Sequence, residues 1–328
     1  GPWVSTSIYD ITAIDIGIKA VLTHTVPTGP YRGAGRPEAI YIIERLMDEA
    51  ARKTGIDRVE LRRRNMIRPE QMPYTNAMGK TYNSGQFAKV MDQAIQISDW
   101  RGFAARADAA ARRGRLRGQG MATFLEWTGA DAFEETVDVT VNGDGTIELF
   151  TAAQPMGQSL ATTFTQLAVD VFGVPGDAIR ISFGDTDIGT GFGSAGSRSL
   201  FVVGSAVRIA SERTVDKALN LAANALEAAA TDIEYRDGVF GIAGTDRRIG
   251  LFELARRQAG ERIVVRSTSA VESSSWPNGC HVCEVEVDPE TGNVELDGYW
   301  SVNDVGRVIN PMVVIGQLEG GAAQGIGQ

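Results

Sequence analysis

Branched apolar residues and polar ones alternate along this chain with two different periods, and the switches between periods mark its elements. Residues 16–26, Ile-Gly-Ile-Lys-Ala-Val-Leu-Thr-His-Thr-Val, read as a strand. A helical period then runs from Pro37 to Thr54, with Ile40, Ile43, Met47 and Ala50 on one face and Gly55 as its stop. A second short helix is predicted over 57–65. Residues 66–85 read as loop, because Pro69, Pro73, Asn76, Gly79, Asn83 and Gly85 break any period. Helices are predicted again over 87–97 and 100–113.

The texture changes at Arg115. Val137–Val141 and Thr146–Phe150 alternate on either side of Asn142-Gly143-Asp144-Gly145, which is a hairpin signal. Further on, the pattern predicts helices over 160–172, 200–230 and 251–257. It predicts strands over 179–183, 280–287 and 294–302, and a short hairpin over 233–242. The helix over 200–230 is rich in alanine, which suits tight packing on a sheet. Strands and helices mix without a strict strand–helix–strand rhythm, so the expected class is α+β, mixed sheets with helices. The change at Arg115 divides the chain into 1–114 and 115–328.

Composition narrows the function classes. Of 328 residues, 43% are hydrophobic, enough to bury a sizeable core. Lys and Arg number 32 against 41 Asp and Glu, a net charge of −9, which argues against a general nucleic-acid partner. The one basic cluster, Arg62-Arg63-Arg64 with Arg68, reads as the solvated end of a surface helix rather than a binding patch. No apolar run approaches the roughly 18 residues of a membrane span. The start, Gly-Pro-Trp-Val, lacks the features of a signal peptide and reads as an internal starting point. A cytoplasmic compartment is expected, with the periplasm as the alternative. The two cysteines, Cys280 and Cys283, lie in an alternating segment with His281 between them. They should face opposite sides of a strand, and they read as ordinary strand residues rather than a redox or zinc pair.

Four polar, glycine-rich loops at element ends carry the candidate chemistry. The first is Tyr31-Arg32-Gly33-Ala34-Gly35-Arg36, directly before a helix. Its glycines let the backbone approach a bulky polar group, and an arginine is a natural donor to an oxyanion. The second, Gln154-Pro155-Met156-Gly157-Gln158-Ser159, also opens a helix and makes an anion cradle. The third runs from Gly184-Asp185-Thr186-Asp187 to Gly193-Ser194-Ala195-Gly196-Ser197-Arg198-Ser199, with hydroxyls and backbone N–H groups suited to phosphate. The fourth spans Asn303-Asp304-Val305-Gly306, Asn310-Pro311, Gly316-Gln317 and Gly320-Gly321.

The order of these motifs resembles the molybdenum-binding subunit of the xanthine oxidase family, across essentially the whole chain. The resemblance implies a molybdenum ion held by the dithiolene of molybdopterin, with no direct protein ligand to the metal and with the pterin extended as a cytosine dinucleotide. It implies oxidative hydroxylation of an aldehyde or N-heteroaromatic substrate with oxygen from water. Electrons would leave through [2Fe-2S] clusters to FAD on partner subunits or domains, within a dimer of such heteromers.

By the same resemblance, Arg32 would lie near pterin and metal, with Gly33 and Gly35 letting the backbone in. Met156, Gly157 and Gln158 would contact the pterin or its phosphates. Ser194, Gly196, Ser197, Arg198 and Ser199 would form the second cofactor loop, and Gln317 would face the metal centre. Ala34 and Trp127 would line the substrate pocket. Residues 1–114 would then carry the metal-facing loop and 115–328 the dinucleotide loops. Gly33 stands where carbon monoxide dehydrogenases carry a copper-binding cysteine, so that chemistry is not expected. The family's Gly-Gly-Phe-Gly loop is absent from this sequence. Its catalytic glutamate is expected outside this chain, beyond the Gln317 loop, so the chain reads as a portion of the molybdenum subunit. A rival reading is a non-catalytic binding or assembly module, or an inert fragment, that keeps the fold without the metal.

Overall fold

The computed structural model describes residues 2–328, and side chains from Trp3 onward. In chain order the elements begin with α1 (Arg36–Thr54), α2 (Arg58–Asn65), β1 (Tyr74–Thr75), β2 (Thr81–Tyr82), α3 (Phe87–Ile97), α4 (Phe103–Arg112) and β3 (Leu116–Leu125). Then come β4 (Glu134–Asn142), β5 (Ile147–Thr151), α5 (Leu160–Phe172), β6 (Ile179–Phe183) and α6 (Gly204–Ala225). The strands β7 (Ile233–Arg236), β8 (Val239–Ile242) and β9 (Arg248–Gly250) follow, then α7 (Leu251–Arg256) and β10 (Arg262–Ala270). The chain closes with β11 (Asn278–Val287), β12 (Val294–Asp304) and α8 (Pro311–Gly327). This mixture of helices and several separate sheets is α+β, as the pattern predicts.

The chain divides into two units. The first holds the residues up to Trp127 together with Ser275–Gly306; the second holds Thr128–Ser274 and Arg307–Gln328. The texture change at Arg115 marks the start of β3, inside the first unit.

In the first unit, β3 and β12 flank β11 in an antiparallel sheet, with Val282 opposite both Met121 and Trp300. Ile8, Tyr9, Ile43, Met66, Phe87, Met91 and Leu125 pack with Val282 and Cys280 as its core. Cys283, three positions along, faces the other side and is only partly buried. Helix α1 begins after Gly35 and stops at Gly55, whose φ of 71° closes it as a left-handed cap.

Three expectations fail in this unit. Residues 66–85, read as loop, carry the short antiparallel pair β1–β2. Residues 16–26 form no strand, and Ile18, Val21, Leu22 and Val26 are exposed. A strand exists only by pairing its backbone, and none of the described strands pairs with this segment. The basic cluster is also not all solvated. Arg62 is fully buried, its Nε donating to Glu44 at 2.9 Å, and Tyr9 and Thr123 donate to the same carboxylate at 2.5 and 2.7 Å. Arg63, Arg64 and Arg68 are exposed, the first two paired with Asp92 and Glu60.

In the second unit the sheet order is β10-β4-β5-β6, with β5 and β6 parallel and the other pairs antiparallel. Val137, Val139, Val141 and Leu149 of the sheet meet Phe164 of α5 and Ala206, Ala210, Ala218 and Ala222 of α6. The helix expected over 200–230 is therefore real but shorter: a π-helical turn, Ser199–Val203, feeds α6, which ends at Ala225. The fourth "loop" is largely a helix. Asn310 caps α8 through the Val313 N–H (3.2 Å) and Pro311 fills its first turn, signals strong enough to start a helix despite its glycines.

Candidate functional site

The second and third loops meet in the second unit. The Ser194 hydroxyl accepts the Gln154 N–H at 2.9 Å, which ties the turn after β5 to the loop after β6. Gln158 folds back on its own turn: its Nε2 donates to the Gln154 carbonyl (2.9 Å), and its Oε1 accepts the Met156 N–H (2.5 Å). Gly157 has a φ of 92° and Ser159 one of 61°, so two left-handed residues on either side of Gln158 lead into α5. Serine is a common capping residue, yet Ser159 makes no side-chain cap, so the first-turn N–H groups of α5 lack the acceptor a cap supplies. Met156 is exposed beside them.

The third loop is drawn inward by Arg198, whose side chain is fully buried. Its Nη1 donates to Glu135 Oε2 (2.8 Å) and to the Gly193 carbonyl (2.9 Å). Its Nε donates to the Ala132 carbonyl and its Nη2 to that of Glu134, both at 3.0 Å. Gly196 has a φ of 59°, and its carbonyl accepts the Gly129 N–H at 3.1 Å. A Cβ there would stand 2.3 Å from Ala130 Cβ, so only glycine fits. Ser197 is also left-handed, at 57°, and Ser199 opens the π-helical turn.

The first loop belongs to the first unit. Tyr31, Arg32 and Ala34 are exposed, Gly33 has a φ of 96°, and the Ala34 N–H closes the turn on the Tyr31 carbonyl at 2.7 Å. A Cβ at Gly33 would lie 2.5 Å from Pro37 Cγ. Gly35 holds a φ of 84° and sets the start of α1. The loop is anchored at its end by Arg36, which grips Glu126 with Nε (2.9 Å) and Nη2 (2.8 Å). The same guanidinium lies 6.0 Å from the Trp127 ring centroid, so Trp127 stands at the foot of the Arg32 loop. Lys80 Nζ lies 4.6 Å from that ring. Gln317 sits exposed on α8, in the second unit.

Two residues that anchor these loops escaped the sequence reading. Glu126 follows the last residue of β3 with no signal of its own. Glu135 does carry one: it shares the core-facing alternation of Val137, Val139 and Val141, and a carboxylate in such a row needs a cationic partner.

Chemically, the paired loops offer backbone N–H groups, hydroxyls and an uncapped helix start within a glycine-bearing cradle, and nothing lies within 4 Å of a Cβ built on Gly157. That donor set fits a large phosphate-bearing group.

Similarity to known proteins agrees. A family model described as "Molybdopterin cofactor-binding domain" matches residues 93–328, and a second of the same description matches 3–66. The chain is 33% identical, over 98% of its length, to the nicotine 6-hydroxylase large subunit of Paenarthrobacter nicotinovorans, covering 42% of that protein. It is 30% identical to the carbon monoxide dehydrogenase large chain of Hydrogenophaga pseudoflava, over 98% of this chain and 43% of that one. The crystal structure of quinoline 2-oxidoreductase from Pseudomonas putida 86 superposes on all of this chain with a TM-score of 0.90 at 30% identity, covering 44% of its own chain. The chain thus spans less than half the length of these relatives. With the fold, the two cradling loops and these matches in agreement, the chain belongs to the molybdopterin-binding domains of the xanthine oxidase family of molybdenum hydroxylases.

Proposed function

We propose that this chain is the cofactor-cradling part of a molybdenum hydroxylase that oxidises an N-heteroaromatic or aldehyde substrate. The observation that carries the proposal is the junction of the two loops at Gln154 and Ser194, beside the uncapped start of α5. The cofactor, when bound, supplies the redox chemistry by which oxygen from water enters the substrate.

The chain's own residues bind and orient. Gly157, Ser159 and the first turn of α5 present N–H groups to the anionic part of the cofactor. Met156 and Gln158 shape that turn, and Ser194, Gly196, Ser197 and Ser199 form the facing wall. In the first unit, Arg32 offers positive charge to the metal-facing side of the pterin, with Gly33 and Gly35 allowing the approach. Ala34 and Trp127 border the substrate, and the small Ala34 leaves room for a ring system. Gln317 faces the metal centre. A glutamate elsewhere in the full subunit serves as general base.

The names of the relatives in nicotine and quinoline oxidation support an N-heteroaromatic substrate over an aldehyde. A cytosine dinucleotide form of the pterin, an iron–sulfur subunit and an FAD subunit complete the reading.

Metal and pterin analysis of the full subunit tests it, together with turnover in ¹⁸O-labelled water. About one molybdenum per subunit and a product labelled from water are expected. A purified, folded subunit free of molybdenum and pterin would instead favour the non-catalytic module.

A further inference from the structure

We infer that Arg198 and Glu135 form a buried positioning clamp that aims the backbone N–H groups of the third loop, and that neither side chain touches the cofactor. The inference deepens the proposed function and rests on it, since it assigns how that loop presents itself to the cofactor's anionic part.

The resemblance alone makes Arg198 a ligand donor; its surroundings do not. Its side chain is 0% exposed, and that of Glu135 is 1% exposed. A guanidinium has five N–H donors. Four hydrogen bonds already run to Glu135 and to the carbonyls of Ala132, Glu134 and Gly193. The Phe192 ring closes over it, 5.1 Å from Cζ. A planar fork held on four acceptors is rigid, and a lysine could not reproduce it.

The clamp acts through peptide planarity. In a trans peptide the carbonyl and the following N–H point in opposite directions. Because Arg198 takes the Gly193 carbonyl, the Ser194 N–H points away from the buried side. Because Gly129 takes the Gly196 carbonyl, the Ser197 N–H is turned by the same logic. Both N–H groups are thereby fixed by contacts on the inner side of the loop. The Ser194 hydroxyl, fixed with them, accepts from Gln154 and so sets the spacing of the two loops.

The test uses the full subunit carrying Arg198→Met, Glu135→Met and the double substitution. A methionine pair fills the vacated volume and keeps the fold where a lone buried charge would not. Two quantities are read: molybdenum and pterin per folded protein, and hydrogen exchange of the 190–200 segment. All three variants should retain about 10- to 100-fold less cofactor, as for residues that orient a ligand's direct contacts. All three should also show faster exchange over 193–197, and the double variant should be no worse than either single one.

Loss of cofactor in Arg198→Met with full retention in Glu135→Met would make Arg198 a direct contact and overturn the clamp. Full retention in the double variant would overturn it as well. A merely structural pair would lower the melting temperature and leave the cofactor content of the folded fraction unchanged. If the wild-type subunit holds no molybdenum, the proposed function fails by itself. Exchange then decides the clamp: protection unchanged across the variants rejects it.

Discussion

The two units hold their glycine-rich loops in different ways. In the first, the Arg32 loop is exposed at Tyr31, Arg32 and Ala34 and is tied at its end by Arg36 to Glu126, with side chains 10% and 24% exposed. In the second, two loops are joined to each other at Gln154 and Ser194, and one of them is pinned from beneath by Arg198 and Glu135, 0% and 1% exposed. The Arg32 loop and the Ser194 loop each contain an arginine close to a glycine, and the resemblance assigns both Arg32 and Arg198 to the cofactor. The structure separates them. Arg32 is exposed, whereas Arg36 and Arg198 are buttresses paired with Glu126 and Glu135. The second design fixes a backbone surface, and under the proposed function that surface would meet the anionic part of the cofactor while the first loop would offer it the Arg32 side chain.

If that contrast is right, the largest effect belongs to the buried buttress. Arg198→Met leaves the Glu135 carboxylate buried and unanswered, and should cost about 3–5 kcal/mol. Arg36→Met leaves Glu126 partly in water and should cost about 1–2 kcal/mol. Chemical denaturation of both variants measures the difference, and equal costs would break the comparison. Next in size are the glycines. Gly196→Ala forces a left-handed alanine against Ala130 and should cost about 2–4 kcal/mol. Gly33→Ala meets the Pro37 ring, which can shift with the exposed loop, so about 1–3 kcal/mol is expected. A Gly33 variant as unstable as the Gly196 variant would mean the first loop is as rigid as the second.

How far the sequence speaks follows the range of the forces involved. The helices α1, α2, α3 and α5 and the β4–β5 hairpin were legible, because apolar period, Asp57 or glycine caps and the Asn-Gly-Asp-Gly turn are local. The loops after β5 and β6 were legible as loops for the same reason. Their junction was not, since Gln154 and Ser194 are 40 residues apart. Nor were the buttress pairs, separated by 90 residues for Arg36–Glu126 and 63 for Arg198–Glu135. The failed strand at 16–26 shows the converse: β propensity fits a surface, and without a paired neighbour it specifies nothing. β3 and β10 went unseen because they carry many charged or small residues, and what makes them strands is the register with β11 and β4.

The smallest expected effect asks where the first unit keeps its charge-based cross-links, given that its loop has few. Glu284 on β11 is buried beneath Arg106 and Arg117. Arg106 donates to it at 2.5 and 3.1 Å, and Arg117 at 2.7 and 2.9 Å. Burial alone would raise its pKa; the two guanidiniums outweigh burial and hold it below the ordinary carboxylate value. A carboxyl whose folded pKa is depressed stabilises the fold above its unfolded pKa, about 4.3. That contribution fades as pH falls through the lower, folded value, where the folded state must also take up the proton. Glu284→Gln should therefore melt about 2–4 °C below wild type at pH 7. The gap should close as pH falls below about 4, because glutamine cannot lose what it never had. Melting curves from pH 7 to 3 decide the matter. Parallel curves would mean that the sheet, like the Arg32 loop, depends little on its ion pairs, and the electrostatic contrast between the units would then rest on Arg198 and Glu135 alone.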